Sequence, residues 1–191
     1  MSKQAVYIRS ATSADIPIIA KIHIESSRIG YRGILPDEML DKLDLKARVL
    51  LWNERFASFG SESRVWIAEI TGQASGFCTT GPIASRNDKS SAEVYEIYSL
   101  YSRPKYWGMG VGQKLLEWSI NDLRSRKVKR IILWTMLRNL RAQRLYKAMG
   151  FVDDHAVRHT ERMEDDLKLE YDEMRYTITF ADLAHAARPH E

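Results

Sequence analysis

Apolar positions along the chain switch between a period of two and a period near 3.6, and the switches mark its elements. Residues 6–9 read as a first strand. Thr12, Ser13 and Asp15 then supply capping chemistry before Ile16, Ile19, Ala20 and Ile24, which repeat at helical spacing up to Gly30. Gly30, Gly33 and Pro36 interrupt the pattern, so residues 26–36 are expected to form a loop or broken helix of the kind that lines binding sites. A second helical region follows in two pieces, 37–44 and 45–59, and stops at Gly60. Strands at 65–70 and 76–80 flank a tight turn, and a polar loop at 85–91 leads to an apolar strand beginning at Glu93. Gly108, Gly110 and Gly112 then open a helix in which Val111, Leu115, Leu116, Ile120 and Leu123 share one face. A strand at 130–136 precedes a helix capped by Asn139, with Ala142, Leu145 and Met149 as its buried stripe. Strands at 151–157 and 176–180 close the pattern, joined by an acidic connection.

The order β-α-α-β-β-β-α-β-α-β-β predicts an α/β (α+β) fold, a mixed central sheet of about seven strands flanked by about four helices. Residues 1–182 are expected to form one domain and 183–191 a loose tail. Composition agrees: 45% hydrophobic and 28% charged residues are the proportions of a soluble globular chain. A net charge of +4 is spread among acidic residues rather than gathered into a run, so no nucleic-acid partner is expected. Cys78 is the only cysteine, which excludes an internal disulfide and argues for a small buried residue rather than a nucleophile. The first ten residues lack the apolar core of a signal peptide, and no apolar run approaches the ~20 residues of a membrane span. A cytoplasmic location and no membrane partner are expected. His23, His155 and His159 show no metal-ligand spacing, and no metal is expected.

Candidate chemistry centres on the glycine turn. Glycines let backbone amides converge, and the helix start adds about half a positive charge, so an anion such as a phosphate is favoured there. The spacing fits neither the dinucleotide fingerprint nor the P-loop. Taken together, residues 100–116, the strand 130–136 and the segment 139–151 resemble the GNAT family of acyl-CoA-dependent N-acetyltransferases. The family's motif Q/R-x-x-G-x-G/A corresponds to residues 107–112, with Trp107 standing where Arg or Gln is usual.

The resemblance implies acetyl-CoA as co-substrate. The amides of Trp107, Gly108, Met109, Gly110, Val111, Gly112 and Gln113 would hold its pyrophosphate, and the backbone of Leu100, Tyr101 and Ser102 would pair with the pantetheine arm. Asn139 would contact the cofactor, and Lys105, Lys114 and Arg141 are candidate phosphate cations. It also implies Tyr146 as the general acid. A phenol with a pKa of about 10 is protonated at neutral pH and so in the right state to donate. Glu96 is the candidate base, with Glu93 and Tyr98 as further candidates; alternation along the strand would put Glu96, Tyr98 and Leu100 on one face. A second acidic position frequent in the family is occupied by Trp134.

Residues 26–36, especially Arg28, Tyr31 and Arg32, would form an acceptor wall by family analogy. The acidic run at 161–173 favours a cationic acceptor and the arginines a carboxylate-bearing one, so the acceptor stays open as a small-molecule or protein amine. So does the oligomeric state, a homodimer included. An acyl-CoA-binding module without transfer activity is the competing reading.

Overall fold

The computed structural model describes residues 5–83, 93–164 and 167–180; the expected polar loop at 85–91 and the tail at 183–191 lie outside the described residues. In chain order the elements are β1 (Val6–Ser10), α1 (Ile16–Gly30), α2 (Asp37–Lys42), α3 (Leu45–Ser58), β2 (Arg64–Ile70), β3 (Gln73–Pro82), β4 (Val94–Ser102), α4 (Val111–Ser125), β5 (Arg130–Met136), α5 (Leu140–Ala148), β6 (Val152–Glu164) and β7 (Leu167–Thr179). The seven strands form one sheet in the order β1-β2-β3-β4-β5-β7-β6. Every neighbouring pair is antiparallel except β4 and β5.

Each face of the sheet buries its own cluster. On one side the apolar stripe of α4, including Leu115, Leu116 and Leu123, packs on Ile97, Leu133 and Tyr176. On the other, Ile19 of α1 and Trp52 of α3 pack on Ile67 and Phe77. Trp52 is fully buried, and its indole N–H donates to Nδ1 of His23 at 3.2 Å, so its one polar atom is satisfied inside the core. Arg103 at the end of β4 donates twice to the Glu25 carboxylate, at 2.7 and 3.0 Å, and pins α1 across the sheet.

Two departures from simple strand geometry create the site. Thr79 pairs with Ser99 and Thr80 with Ile97, so Tyr98 is an extra residue, a β-bulge in β4. The parallel pairing of β4 with β5 also stops at Ile97 and Leu133, leaving the rest of β4 with an open edge. The bulge corrects the expectation that Glu96, Tyr98 and Leu100 share a face. Ile97 and Leu100 pack with the α4 cluster, Tyr101 with the α1 cluster, and Glu96 falls on the α1 side.

The acidic stretch before the last strand is likewise not a connecting loop. It forms part of the long arms of the β6–β7 hairpin, in which Arg158 lies directly opposite Glu173 and His159 opposite Asp172. Cross-strand pairs of opposite charge stabilise such arms, and they hide the strands from a search for apolar alternation.

Candidate active site

Two cavities meet at the open edge of β4. The narrower, about 350 Å³, runs between the β4 edge, the glycine turn and α5. The wider, about 690 Å³, lies on the α1 side between α2, α3 and the β6–β7 hairpin. Tyr31, Leu100, Tyr101, Asn139, Ala142 and Tyr146 line both.

The glycine turn supplies unpaired donors. The amides of Gly108, Gly110, Val111, Gly112 and Gln113 have no backbone acceptor among the described residues, and no side chain caps Gly110. Gly108 and Gly110 have φ of +80° and +85°, which L side chains rarely adopt, and a Cβ on either would meet nothing within 4 Å. The space above them is therefore open. Gly112 serves packing instead, since a Cβ there would come within 3.1 Å of Leu145. Two expected donors are withdrawn: the Trp107 amide donates to Pro104 and the Met109 amide to Tyr106, both in the turn preceding α4. Met109 packs on the core and does not line the cleft. A concave set of free amides at a helix start suits a diphosphate. Gly110→Val is expected to weaken acetyl-CoA binding by about five- to thirtyfold, because a β-branched residue in the left-handed region costs about 1–2 kcal/mol, which the free turn relieves by rearranging and the binding conformation must restore; calorimetric titration checks it.

Along β4, the Ser102 carbonyl faces away from β3, because it accepts from Ser26 Oγ at 2.8 Å and from Trp107 Nε1 at 2.7 Å. Backbone groups alternate sides, so Leu100 turns its N–H and C=O to the open edge as well, while those of Tyr101 belong to the ladder with β3. Of the three residues expected to pair with a pantetheine arm, Leu100 offers both groups and Ser102 its N–H alone. Tyr101 contributes its ring, tilted by 38° against that of His23 with centroids 4.4 Å apart, and its hydroxyl, 3.4 Å from that of Tyr31.

Asn139 caps α5, its side-chain oxygen accepting from the Ala142 amide at 3.2 Å, and also lines both cavities. Seven residues on, two helical turns, Tyr146 reaches the same junction. Its ring packs near Phe151 and Tyr176, and its hydroxyl has no hydrogen-bond partner among the described residues. Burial raises its pKa well above the ordinary phenol value, with Cys78 and Tyr101 adding to the effect. Cys78 itself is buried and pushed up to about 12, which removes it as a nucleophile.

On the wider side, burial raises the pKa of Glu96; Arg158 opposes the shift and Glu173 adds to it. Glu96 does not itself line the cavity, whereas Arg158 and Glu173 do. Arg158 Nε donates to Glu173 at 2.7 Å, and Thr160 Oγ1 donates to the same carboxylate oxygen at 3.0 Å. Two guanidinium groups approach the Trp134 ring, Arg158 at 4.3 Å and Arg175 at 5.5 Å from its centroid. Arg158 and Thr160 were not singled out in the sequence, and Glu173 only as one member of the acidic run 161–173; the signal that brings them together is the charge-complementary register of the β6–β7 hairpin.

Of the three residues expected to wall the acceptor site, only Tyr31 lines the wider cavity. Arg28 donates to the carbonyls of Leu40 and Leu43 at 3.2 and 2.8 Å, satisfying the end of α2. Arg32 pairs with Asp37 at 3.1 Å and with Asp41. Both arginines are held by α2 and line neither cavity. Among the described residues no group of three or more metal-ligating side chains occurs, and no helix is long and apolar enough to cross a membrane.

The family described as Acetyltransferase (GNAT) matches residues 30–151, which span the β4 edge, the glycine turn and α5. The chain belongs to the GNAT acetyltransferase family. Acetyl-CoA-dependent acetyl transfer is the activity that membership carries. An uncharacterized N-acetyltransferase, YuaI of Bacillus subtilis, is 31% identical over 135 residues, covering 70% of this acetyltransferase and 73% of the relative. The ribosomal-protein-alanine N-acetyltransferase of Brucella melitensis superposes with a TM-score of 0.66 at 23% identity, covering 91% and 99% of the two chains. The PaiA N-acetyltransferase of Thermoplasma acidophilum, solved with coenzyme A, gives 0.68 at 15% identity, covering 92% and 99%. At these identities the two structures show a shared fold.

Proposed function

We propose that this acetyltransferase moves an acetyl group directly from acetyl-CoA to a primary amine, with Tyr146 as general acid and Glu96 as general base. The observation that carries this is the junction: an anion-binding cleft and a wide polar cavity open onto each other where Leu100, Tyr101 and Tyr146 meet. A donor held in one and an acceptor held in the other face each other without a covalent enzyme intermediate.

When bound, acetyl-CoA supplies the activated thioester carbonyl. The free amides of the glycine turn hold its diphosphate, and the open edge of β4 aligns its amide-containing arm as an added strand. The Leu100 N–H stabilises negative charge that develops on the carbonyl oxygen. An alkylamine is mostly protonated at neutral pH, with a pKa of about 10.4, so it must lose a proton before attack. Glu96, on the acceptor side but set back from the cavity wall, takes that proton through an intervening water. As the new C–N bond forms and the C–S bond breaks, the Tyr146 hydroxyl delivers its proton to sulfur, and the second proton, shed by the attacking nitrogen as it becomes an amide, returns through solvent to restore the phenol. Its raised pKa keeps it protonated, and no described acceptor competes for the hydrogen.

The wider cavity takes the amine, as a small molecule or a protein amino group. The Brucella relative's name gives a ribosomal-protein alanine as its acceptor, which makes a protein amino group one arm of the test. Thiol release is measured with acetyl-CoA and a panel of polyamines, amino acids, aminoglycosides and N-terminal peptides. Amine-dependent thiol release, with the acetylated product identified by mass, is expected. Release that never depends on an amine, despite tight acetyl-CoA binding, would sink this reading.

A further inference from the structure

We propose that Arg141, shelved on the indole of Trp107, is a ligand for the coenzyme diphosphate, and that Trp107 is the residue that positions it. The inference rests on the assignment of the narrower cavity to coenzyme A. Three cations flank the glycine turn, and their placements differ. Lys105 donates to the Gln73 side chain at 3.3 Å and lies 4.7 Å over the Tyr106 ring, while Lys114 sits 3.6 Å from the Glu117 carboxylate. Neither lines the cleft; Arg141 does.

The Arg141 guanidinium stacks 3.5 Å over the Trp107 ring. That ring is fixed at both ends. Its Nε1–H donates to the Ser102 carbonyl at 2.7 Å, and its far edge lies against Gly30, where a Cβ would stand 3.8 Å from Cη2. A guanidinium held flat on an indole keeps its in-plane N–H groups free to fork onto phosphate oxygens. No carboxylate among the described residues holds it; partial desolvation lowers its pKa, and the neighbouring Arg144 guanidinium adds to the effect. Trp107 immediately precedes Gly108, so an anion seated on the turn's free amides would lie beside this cation.

The geometry also explains how an indole can border a phosphate cradle. The ring carries no charge of its own and instead lends a surface to a cation from α5. Binding of CoA, dephospho-CoA and unphosphorylated pantetheine to the intact protein, followed by calorimetry, tests this. Arg141→Ala is expected to weaken CoA and dephospho-CoA alike by about tenfold or more, the loss of one charge-assisted contact, and to leave pantetheine unchanged. Trp107→Ala is expected to cause a similar loss, with little added in the double variant. Trp107→Phe, which keeps a stacking surface and lacks the N–H, should retain most of the affinity. Trp107→Arg in the Arg141→Ala background should restore it by returning the cation to the rim of the turn.

A penalty seen with CoA and absent with dephospho-CoA assigns Arg141 to the 3′-phosphate and overturns the proposal. So do fully additive losses at the two positions. Wild type that binds CoA while Arg141→Ala binds it equally well overturns this inference alone. Wild type that does not bind CoA overturns the cleft assignment and this inference with it.

Discussion

Tyr146→Phe is expected to lower kcat by about two to three orders of magnitude while changing the dissociation constant for acetyl-CoA by less than about threefold. The asymmetry follows from what the hydroxyl touches. The ring is packed against Phe151 and Tyr176, so phenylalanine fills the same volume and the fold is preserved. The hydroxyl has no hydrogen-bond partner among the described residues, so the substitution removes that O–H group, with the proton it donates, and leaves the ring contacts in place. A pH profile sharpens the test. An ordinary tyrosine ionises near pH 10 and would switch off donation there. Burial raises the pKa of Tyr146, so wild-type kcat should stay level through that range rather than fall. Steady-state kinetics with direct thiol detection gives both numbers. A loss of less than about tenfold, or a fall in activity near pH 10, refutes the general-acid role.

Much of this site is legible in the sequence because its parts are local. The glycine turn is encoded by three residues at alternate positions, and the Asn139 cap and Tyr146 by a two-turn interval on one helix. The parts that escape are those set by partners distant in the chain. Nothing in residues 93–102 announces the extra residue at Tyr98, because the bulge is defined by the pairing of Thr79 and Thr80 on β3. Without it, Glu96 and Leu100 would fall on the same face, and the acid–base geometry would be drawn wrongly. Arg28 and Arg32 have the right charge and the right loop for acceptor binding, yet the carbonyls at the end of α2 and the carboxylates of Asp37 and Asp41 claim them first. Trp107 is informative in the opposite sense: an odd residue at a motif position becomes interpretable only when Arg141, 34 positions later in the sequence, is seen stacked on it. The β6–β7 arms stay hidden because ion pairs, rather than apolar alternation, hold their outer ends together.

Glu96→Gln should have the largest effect on the acceptor side, a fall in kcat of about two to four orders of magnitude. A base must be ionised to act. With its pKa raised by burial, wild-type kcat should climb with pH through a value above that of an ordinary glutamate, about 4.3, and then level off. In the variant that limb should disappear. A second measurement separates a working carboxylate from one present for structure. The folded protein holds the Glu96 proton more tightly than the unfolded chain does. Stability is therefore lost as pH rises from the ordinary carboxyl range through the folded value, and the cost stands in full above it. Glutamine carries no charge to desolvate, so Glu96→Gln should melt at a higher temperature than wild type at pH 7 and at nearly the same temperature near pH 4. A residue kept for an ion pair would show the reverse, a variant less stable at neutral pH. A variant that is more stable and far slower marks a carboxylate retained at a cost to the fold for the proton it accepts. Retained activity with an unchanged pH limb would move the base to another group, and Glu173, whose charge acts on Glu96 and which lines the wider cavity, is the next candidate.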